Sequence, residues 1–308
     1  MSNLPFLSKL VERVVLHQLV EYTTNNDLLE LKQSACRQHH STETALLHIT
    51  NCLLCNTDQW QVSILTLSDL SAAFEMIDHD ILLMRLGITF GVTDLTFQWL
   101  RSYITDRLMT ITVNDITSEP KRLNFDVPQC SVLGPLFFVL CTQPFSQIVL
   151  DSGLDLDKFS DDTQLLNSAP PADFNLVSRH TEQCVDRVRV WMKSNKLKLN
   201  EEKTEAMVVG SRSRTSVSGS GHLEIGSCLI LFQPNVMDLK VVLGSSLTMC
   251  DHHISSVCRS AYLELRGIGS IRPFLNVQQA AGLALSRILS KIDYCNSLLA
   301  GITSEQID

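Results

Sequence analysis

The chain has 308 residues, of which 44% are hydrophobic and 19% are charged. This apolar content excludes a chain that is disordered throughout, and the length allows about two domains or one large domain. The 25 basic and 33 acidic side chains give a net charge of −8, which excludes a strongly basic nucleic-acid arm. The most apolar run, 130–141, is too short to span a membrane, and the first residues do not form a secretory signal.

The spacing of apolar residues predicts helices and strands that follow one another in no regular order. In the first half we predict helices at 5–22, 42–54, 79–86, 95–105 and 132–149, and strands at 63–70, 109–114 and 123–127. In the second half we predict a hairpin at 154–166, a long amphipathic helix at 177–191, strands at 206–209, 223–232 and 236–243, and helices at 252–268 and 277–300. Because strands and helices do not alternate regularly, the pattern favours an α+β fold over a doubly wound sheet.

Three acidic residues lie next to apolar strands. Asp69 ends the strand predicted at 63–70, and Asp161 and Asp162 occupy the turn of the predicted hairpin. Adjacent carboxylates repel each other unless a positive charge compensates them, and Mg²⁺ or Mn²⁺ prefers such hard oxygen ligands. Three carboxylates on neighbouring strands could hold two metal ions, although the Asp-Asp pair taken alone is more typical of an exposed polar turn.

The ten cysteines do not suggest a disulfide framework, because the chain shows no secretory signal. Two short segments are weak zinc candidates. These are Cys52-Leu53-Leu54-Cys55 and Cys250-Asp251-His252-His253. Neither segment has a partner that would complete a closed site of four ligands at a defined spacing.

Three segments together resemble the catalytic motifs of reverse transcriptases. Residues 67–74 (Leu-Ser-Asp-Leu-Ser-Ala-Ala-Phe) resemble the first catalytic motif, and 127–135 (Val-Pro-Gln-Cys-Ser-Val-Leu-Gly-Pro) resemble the nucleotide-pocket motif. Residues 159–162 (Phe-Ser-Asp-Asp) resemble the third motif. The order and separation of the motifs are similar to those of the non-LTR (LINE-type) retrotransposon family. Weaker matches lie at 33–37, 41–44, 195–204 and, for the primer grip, 236–247.

The resemblance implies an RNA-directed DNA polymerase that transfers dNTPs to a primer 3′-hydroxyl with two Mg²⁺ (or Mn²⁺) ions. Asp69 and Asp161 match the metal ligands, and Asp162 matches the third acid of the site. Lys203 matches a lysine proposed to protonate the leaving pyrophosphate, although a solvated lysine is the simpler alternative. The nucleotide-binding candidates are Phe74, which would exclude a ribose 2′-hydroxyl, Gln129, which would contact the nucleotide, and Arg37, which would neutralise phosphate.

The resemblance also implies a right-hand organisation and a set of partners. We expect fingers at 1–62, a palm with inserted finger elements at 63–245, and a partial thumb at 246–308, truncated at both ends relative to the family. The expected partners are an RNA template, a DNA primer and dNTPs, with no membrane and no obligate protein partner. The family implies an intracellular setting, in the nucleus or the cytoplasm.

Several residues depart from the family pattern around the expected pocket. Cys130, Asp126 and Lys240 stand where the family usually has glycine. A side chain at 130 could crowd the nucleotide, and an extra carboxylate at 126 would repel a triphosphate. A catalytically inactive remnant with at most weak nucleic-acid binding is therefore the alternative. A metal-dependent nuclease is disfavoured because Phe74 and Gln129 match polymerase roles.

Overall fold

The computed structural model describes residues 6–35, 37–68, 75–127, 131–211, 221–247 and 251–300. The helices of the first two thirds are α1 (Phe6–Asn25), α2 (Thr42–Asp58), α3 (His79–Ile88), α4 (Asp94–Ile104), α5 (Gly134–Asp151) and α6 (Phe174–Ser194). The longer strands are β1 (Val62–Ser68), β6 (Asp155–Phe159), β7 (Asp162–Ala169) and β8 (Glu205–Val209), with the short strands β2 to β5 between α4 and α5. This mixture of helices and antiparallel strands confirms the predicted α+β class.

A four-stranded antiparallel sheet forms the centre of the molecule, in the order β6-β7-β1-β8. All seven residues of β1 are buried, because β1 is an interior strand that is covered on both faces. Side chains alternate along a strand, so Ile64 lies in one apolar cluster and Leu65 in a second one. The larger cluster contains α5 and α6, and the smaller one contains α2.

Side-chain caps explain where two of the helices begin. Ser41 and Thr44 form a reciprocal capping box at the start of α2, which confirms the predicted start at residue 42. Asp78 caps α3 by accepting hydrogen bonds from the backbone amides of Asp80 and Ile81, both at 3.1 Å. Both caps satisfy amides that the first helical turn leaves without partners.

Several predicted strands are wrong in extent, because turns interrupt the apolar runs. The run 223–232 forms β9 (His222–Ile225) and β10 (Cys228–Leu231), which meet at Gly226 with φ 61°. The run 236–243 forms β11 (Asn235–Asp238) and β12 (Val241–Gly244). In place of strands at 109–114 and 123–127, the chain forms the two-residue strands β2 (Leu108–Met109), β3 (Thr112–Val113), β4 (Ile116–Thr117) and β5 (Lys121–Arg122).

The C-terminal part is helical, with α7 (Asp251–Ile271) and α8 (Val277–Ala284) followed by a π-helical turn at Leu285–Leu289. The helix predicted at 277–300 ends earlier, at Ile292, and Cys295 then adopts a left-handed conformation with φ 54°. Within the described ranges, every helix is too short or too polar to cross a membrane.

Candidate active site

The Asp-Asp pair lies at the tip of a β-hairpin, as the sequence predicted. Strands β6 and β7 pair from Asp155↔Leu166 to Phe159↔Asp162, so Ser160 and Asp161 form a two-residue turn. Ser160 adopts φ 60°, a left-handed conformation at the first turn position. Asp162 is the first residue of β7, and both carboxyl-bearing residues are partly exposed. The hairpin therefore presents two adjacent acids at the end of the sheet.

The first catalytic-motif strand ends beside this hairpin. Ser68, the last residue of β1, pairs with Thr163, the residue directly after Asp162. Asp69 follows Ser68 in the sequence and lies outside the described residues, as do Phe74, Gln129 and Cys130. The described part of β1 therefore ends beside the hairpin.

A cleft of about 370 Å³ opens at this end of the sheet. Asp162 and Lys203 both line it, so the structure brings together two of the predicted site residues. Further acids line the same cleft, namely Glu202, Glu205 and Asp238. Lys203 is exposed at the end of a short 3₁₀ helix, Glu201–Lys203. The described lining of the cleft is therefore mainly acidic, with Lys203 as its basic residue.

Sequence reasoning missed Asp238, which is a buried acid in this cleft. Its side chain is only 3% exposed, and Gln164 Nε2 donates to both carboxylate oxygens, at 2.8 and 2.7 Å. Burial, together with the nearby charges of Asp162 and Asp157, raises the pKa of Asp238 to about 7, although the hydrogen bond from Gln164 opposes this shift. Gln164 lies two residues after Asp162 on β7, so both side chains point to the same face of the sheet. That spacing links Gln164 to Asp162, but nothing in the sequence links either residue to Asp238.

Arg37 lies apart from the cleft residues. Its Nη1 donates to the carbonyl oxygens of Leu31 and Glu30, at 2.9 and 3.4 Å, and so closes the loop before α2. It is not among the side chains that line the cleft. The predicted contact between Arg37 and a phosphate remains untested.

A buried lysine lies behind the hairpin. Lys158 of β6 points towards α5, with its Nζ 3.5 Å from Thr142 Oγ1, 3.4 Å from Ser146 Oγ and 4.2 Å from the centre of the Phe145 ring. Its neighbour Asp157 points to the opposite face and accepts a 2.8 Å hydrogen bond from His48 Nδ1. Complete burial lowers the pKa of Lys158 to about 7.

Within the described ranges, no three His, Cys, Asp or Glu side chains lie close enough together to hold a metal ion. Among the described residues, Asp161 and Asp162 therefore do not make up a metal site by themselves. The chemical type of these ligands fits Mg²⁺ or Mn²⁺, which prefer carboxylate oxygens. The predicted zinc segment at Cys52–Cys55 holds two free cysteines, whereas Cys250 of the other segment lies outside the described residues.

Two of the departures from the family pattern fall where the backbone favours glycine. Asp126 has φ 88°, and Lys240 has φ 68° in the turn between β11 and β12. Burial raises the pKa of Asp126, the nearby Glu75 raises it further, and within the described part of the chain the buried Oδ1 of Asp126 has no hydrogen-bond partner. A side chain at either position therefore strains the backbone.

A central antiparallel sheet that carries paired acids at a hairpin tip, with helices packed against it, is consistent with the α+β fold of polymerases. Comparison with known families agrees, since the reverse transcriptase (RNA-dependent DNA polymerase) family matches residues 1–236. The chain belongs to this family, and its motifs and relatives make it a reverse transcriptase domain of the non-LTR (LINE) type. As a family, reverse transcriptases use divalent metal ions.

Similar curated proteins come from Drosophila melanogaster. The chain is 28% identical over 292 residues to the probable RNA-directed DNA polymerase from transposon BS, covering 93% of this chain and 31% of that protein. It is 24% identical over 230 residues to the RNA-directed DNA polymerase from mobile element jockey, covering 72% of this chain and 25% of that protein. The chain therefore spans only about a third of these relatives' length or less.

Solved structures of telomerase from Candida tropicalis share the fold. The apo enzyme truncated from its C-terminal domain matches with a TM-score of 0.53 and 13% identity, covering 77% of this chain and 44% of that one. The complex with a fragment of telomeric RNA matches with a TM-score of 0.50 and 13% identity, covering 97% and 47%. At this identity the likeness concerns the fold alone.

Proposed function

We propose that this chain forms the catalytic part of an RNA-directed DNA polymerase, which extends a DNA primer on an RNA template with dNTPs. The observation that carries the proposal is the pairing of Ser68 with Thr163, because it brings the end of β1 beside the Asp161-Asp162 hairpin. The proposal takes Asp69, the residue after Ser68, as the third acid of the site. In this proposal, residues 1–62 form the fingers, 63–245 the palm and 246–308 part of the thumb.

Asp69, Asp161 and Asp162 would hold two divalent ions, Mg²⁺ or Mn²⁺. When bound, such ions lower the pKa of an attacking hydroxyl and offset the charge that develops on the transferred phosphate. The β6-β7 ladder pairs Asp162 and leaves only Ser160 and Asp161 outside the pairing, so the two acids follow each other at the end of the sheet. In this proposal the carboxyl groups of Asp161 and Asp162 are adjacent before a divalent cation binds.

Lys203 would donate a proton to the leaving pyrophosphate. It lines the same cleft as Asp162, together with the acids Glu202 and Glu205. Proton transfer requires the Nζ to come within hydrogen-bond distance of the leaving oxygen. Lys203 is the last residue of the exposed 3₁₀ helix Glu201–Lys203, at the rim of the cleft.

Three further residues would select and orient the nucleotide. Phe74 would reject ribonucleotides through a clash with the 2′-hydroxyl, and the amide of Gln129 would both donate to and accept from the nucleotide. Arg37 would neutralise phosphate once its loop approaches the substrate, after releasing the carbonyl groups that it now binds. These roles rest on the resemblance, and the selectivity between dNTPs and rNTPs tests the first of them.

The test is primer extension on a primed RNA template with Mg²⁺ or Mn²⁺, using wild-type chain and Asp161→Asn. We expect synthesis by the wild type, and we expect Asp161→Asn to remove it. Asp155→Asn is the matched control, because Asp155 is an exposed acid at the other end of the same hairpin. Synthesis that Asp161→Asn leaves unchanged would overturn the site, and loss of synthesis in both variants would point to a general effect of charge.

A second candidate function is that of an inactive remnant with weak nucleic-acid binding. The positive φ of Asp126, which lies shortly before Gln129 and Cys130, favours this candidate because it shows strain next to the expected nucleotide pocket. Restoring glycine in Asp126→Gly and Cys130→Gly distinguishes the two. If the pocket is damaged but functional, the double variant gains primer extension over the wild type. A double variant that binds primed RNA yet still lacks synthesis supports the remnant.

A further inference from the structure

The segment Lys32–Ser34, which precedes α2, pairs with β6, the edge strand of the central sheet. The amide of Ser34 donates to the carbonyl of Lys158, and the amide of Lys158 donates to the carbonyl of Lys32, both at 2.9 Å. Gln33 thus pairs in parallel with Lys158, the residue two positions before the Ser160 turn. The segment therefore holds β6 at Lys158, close to the hairpin turn.

The side chain of Gln33 reaches that turn. Gln33 is 1% exposed, and its Oε1 accepts from the amide of Ser160 at 3.3 Å and from the amide of Ala35 at 2.9 Å. Within the described residues, Gln33 Nε2 has no hydrogen-bond partner, so only the carbonyl end of this amide is engaged. The Oε1 of Gln33 therefore joins the amide of its neighbour Ala35 to the amide of Ser160, which lies far along the chain.

The turn needs this support because its backbone is strained. Ser160 has φ 60° at the first position of a two-residue hairpin turn, where glycine is the residue that adopts this conformation without strain. The amide of Ser160 would otherwise lack a partner within the hairpin, since Phe159 and Asp162 are the last paired residues. Asp161 follows Ser160 directly, so any movement of the Ser160 peptide moves the Asp161 carboxylate.

We propose that Gln33 is a positioning residue for the metal-binding acids, which holds the Ser160–Asp161 turn through the Ser160 amide. The proposal rests on the proposed function for its catalytic meaning, whereas the support of the turn itself does not. Gln33 touches none of the reacting atoms. It acts through the direction in which the turn presents Asp161.

The test compares Gln33→Met, which keeps the length and apolar volume but removes the acceptor, with Gln33→Glu, which keeps two acceptor oxygens. Amide hydrogen exchange at Ser160 is the first readout, and we expect roughly tenfold faster exchange in Gln33→Met and protection restored in Gln33→Glu. Mn²⁺ binding, followed by electron paramagnetic resonance, is the second readout. We expect weaker binding in Gln33→Met, because misplaced carboxylates bind the ion less well.

Gln143→Met is the matched control. Gln143 of α5 is a partly buried glutamine that donates to the Leu28 carbonyl at 2.6 Å, so it also anchors the chain before α2 but does not contact the hairpin turn. This variant should leave Ser160 exchange and Mn²⁺ binding at wild-type values. In primer extension, Gln33→Met should lower kcat roughly tenfold to a hundredfold with KM for primed RNA unchanged.

The outcomes separate the two proposals. Wild-type exchange at Ser160 in Gln33→Met overturns the support of the turn, whatever the activity. Faster exchange with unchanged Mn²⁺ binding and kcat, in a chain that Asp161→Asn inactivates, overturns the positioning role alone. If Asp161→Asn leaves synthesis unchanged, the proposed function fails, and faster exchange in Gln33→Met would still support a structural link between Gln33 and the turn.

Discussion

The central sheet buries its apolar side chains, whereas the C-terminal helices expose many of theirs. In the sheet, all seven residues of β1 are buried, and two clusters cover its two faces. In the described range 252–300, only His253, Cys295 and Leu298 are buried, whereas Tyr262 and Leu263 are 68% and 62% exposed. Burial of apolar surface is the main favourable term in folding, so the sheet region carries most of the stability.

The largest expected difference between the two regions concerns buried and exposed leucines. Leu136 of α5 is fully buried, so Leu136→Ala should lower the free energy of unfolding by about 2–5 kcal/mol. Leu263 of α7 lies largely exposed, so Leu263→Ala should change it by less than about 0.5 kcal/mol. Urea denaturation measures both. Equal losses would show that the C-terminal helices are packed in solution.

The buried Lys158 predicts a pH dependence confined to the sheet region. Its pKa is lowered to about 7 in the folded chain, so above pH 7 the unfolded chain holds a proton that the folded chain lacks, and stability rises with pH. Lys158→Met should reduce this slope by about 1.4 kcal/mol per pH unit between pH 7 and 10. Exposed Lys193 provides the control in Lys193→Met. An unchanged slope in Lys158→Met would mean that Lys158 titrates normally.

The helix caps offer a matched comparison of smaller size. Asp78 is buried, binds Lys196 at 2.6 Å and caps α3, so Asp78→Ala should cost about 1–2 kcal/mol. Asn276 caps α8 in the exposed region, and Asn276→Ala should leave global unfolding within about 0.5 kcal/mol. Chemical denaturation measures the free energy of unfolding of both variants. A larger loss for Asn276→Ala than for Asp78→Ala would show that the C-terminal helices contribute more to stability than the sheet region.

The cap at Asp78 has a pH dependence of the same sign as that of Lys158, but in the acidic range where carboxyl groups titrate. Burial alone would raise the pKa of Asp78, but the hydrogen bond and charge of Lys196 and two backbone amides lower it below its ordinary value. Its stabilising contribution is therefore full above the unfolded pKa and is lost as the pH falls through the folded pKa. The difference in stability between wild type and Asp78→Ala should shrink in acid, and a difference that grows there would contradict the assignment.

The smallest expected effect is a gain in stability. Asp126→Gly should stabilise the chain by about 1 kcal/mol, because it relieves a φ of 88° and removes a buried carboxyl oxygen that has no partner within the described residues. Asp115→Gly is the control, since Asp115 also has positive φ but is exposed in a turn that aspartate tolerates. Thermal unfolding measures the gain, and a loss in Asp126→Gly would show that the side chain has an unrecognised partner.

The sequence predicted those parts of the fold whose signals are local. The strand before Asp69 and the hairpin with Asp161 and Asp162 at its turn follow from short apolar runs that end at acids. The start of α2 follows from the Ser41 capping box. Each signal lies within a few residues of the feature that it predicts, so no distant contact was needed.

The sequence could not predict features that depend on distant contacts or on unusual backbone. The β11-β12 turn was missed because Leu239 and Lys240 adopt φ of 45° and 68° without glycine, so the apolar run appears continuous. The contact of Gln33 with Ser160 joins residues 127 positions apart. The burial of Asp238 likewise depends on Gln164, and nothing near Asp238 in the sequence indicates it.

Cleavage of the chain by bound iron tests the central claim most directly. Fe²⁺ in place of Mg²⁺, with ascorbate and peroxide, releases hydroxyl radicals that cut the backbone near the metal. The account predicts cuts beside Asp69 and at 160–162, which excess Mg²⁺ suppresses and Asp161→Asn removes. Cuts that persist in Asp161→Asn, or that lie instead along Cys52–Cys55, would contradict a metal site at the hairpin.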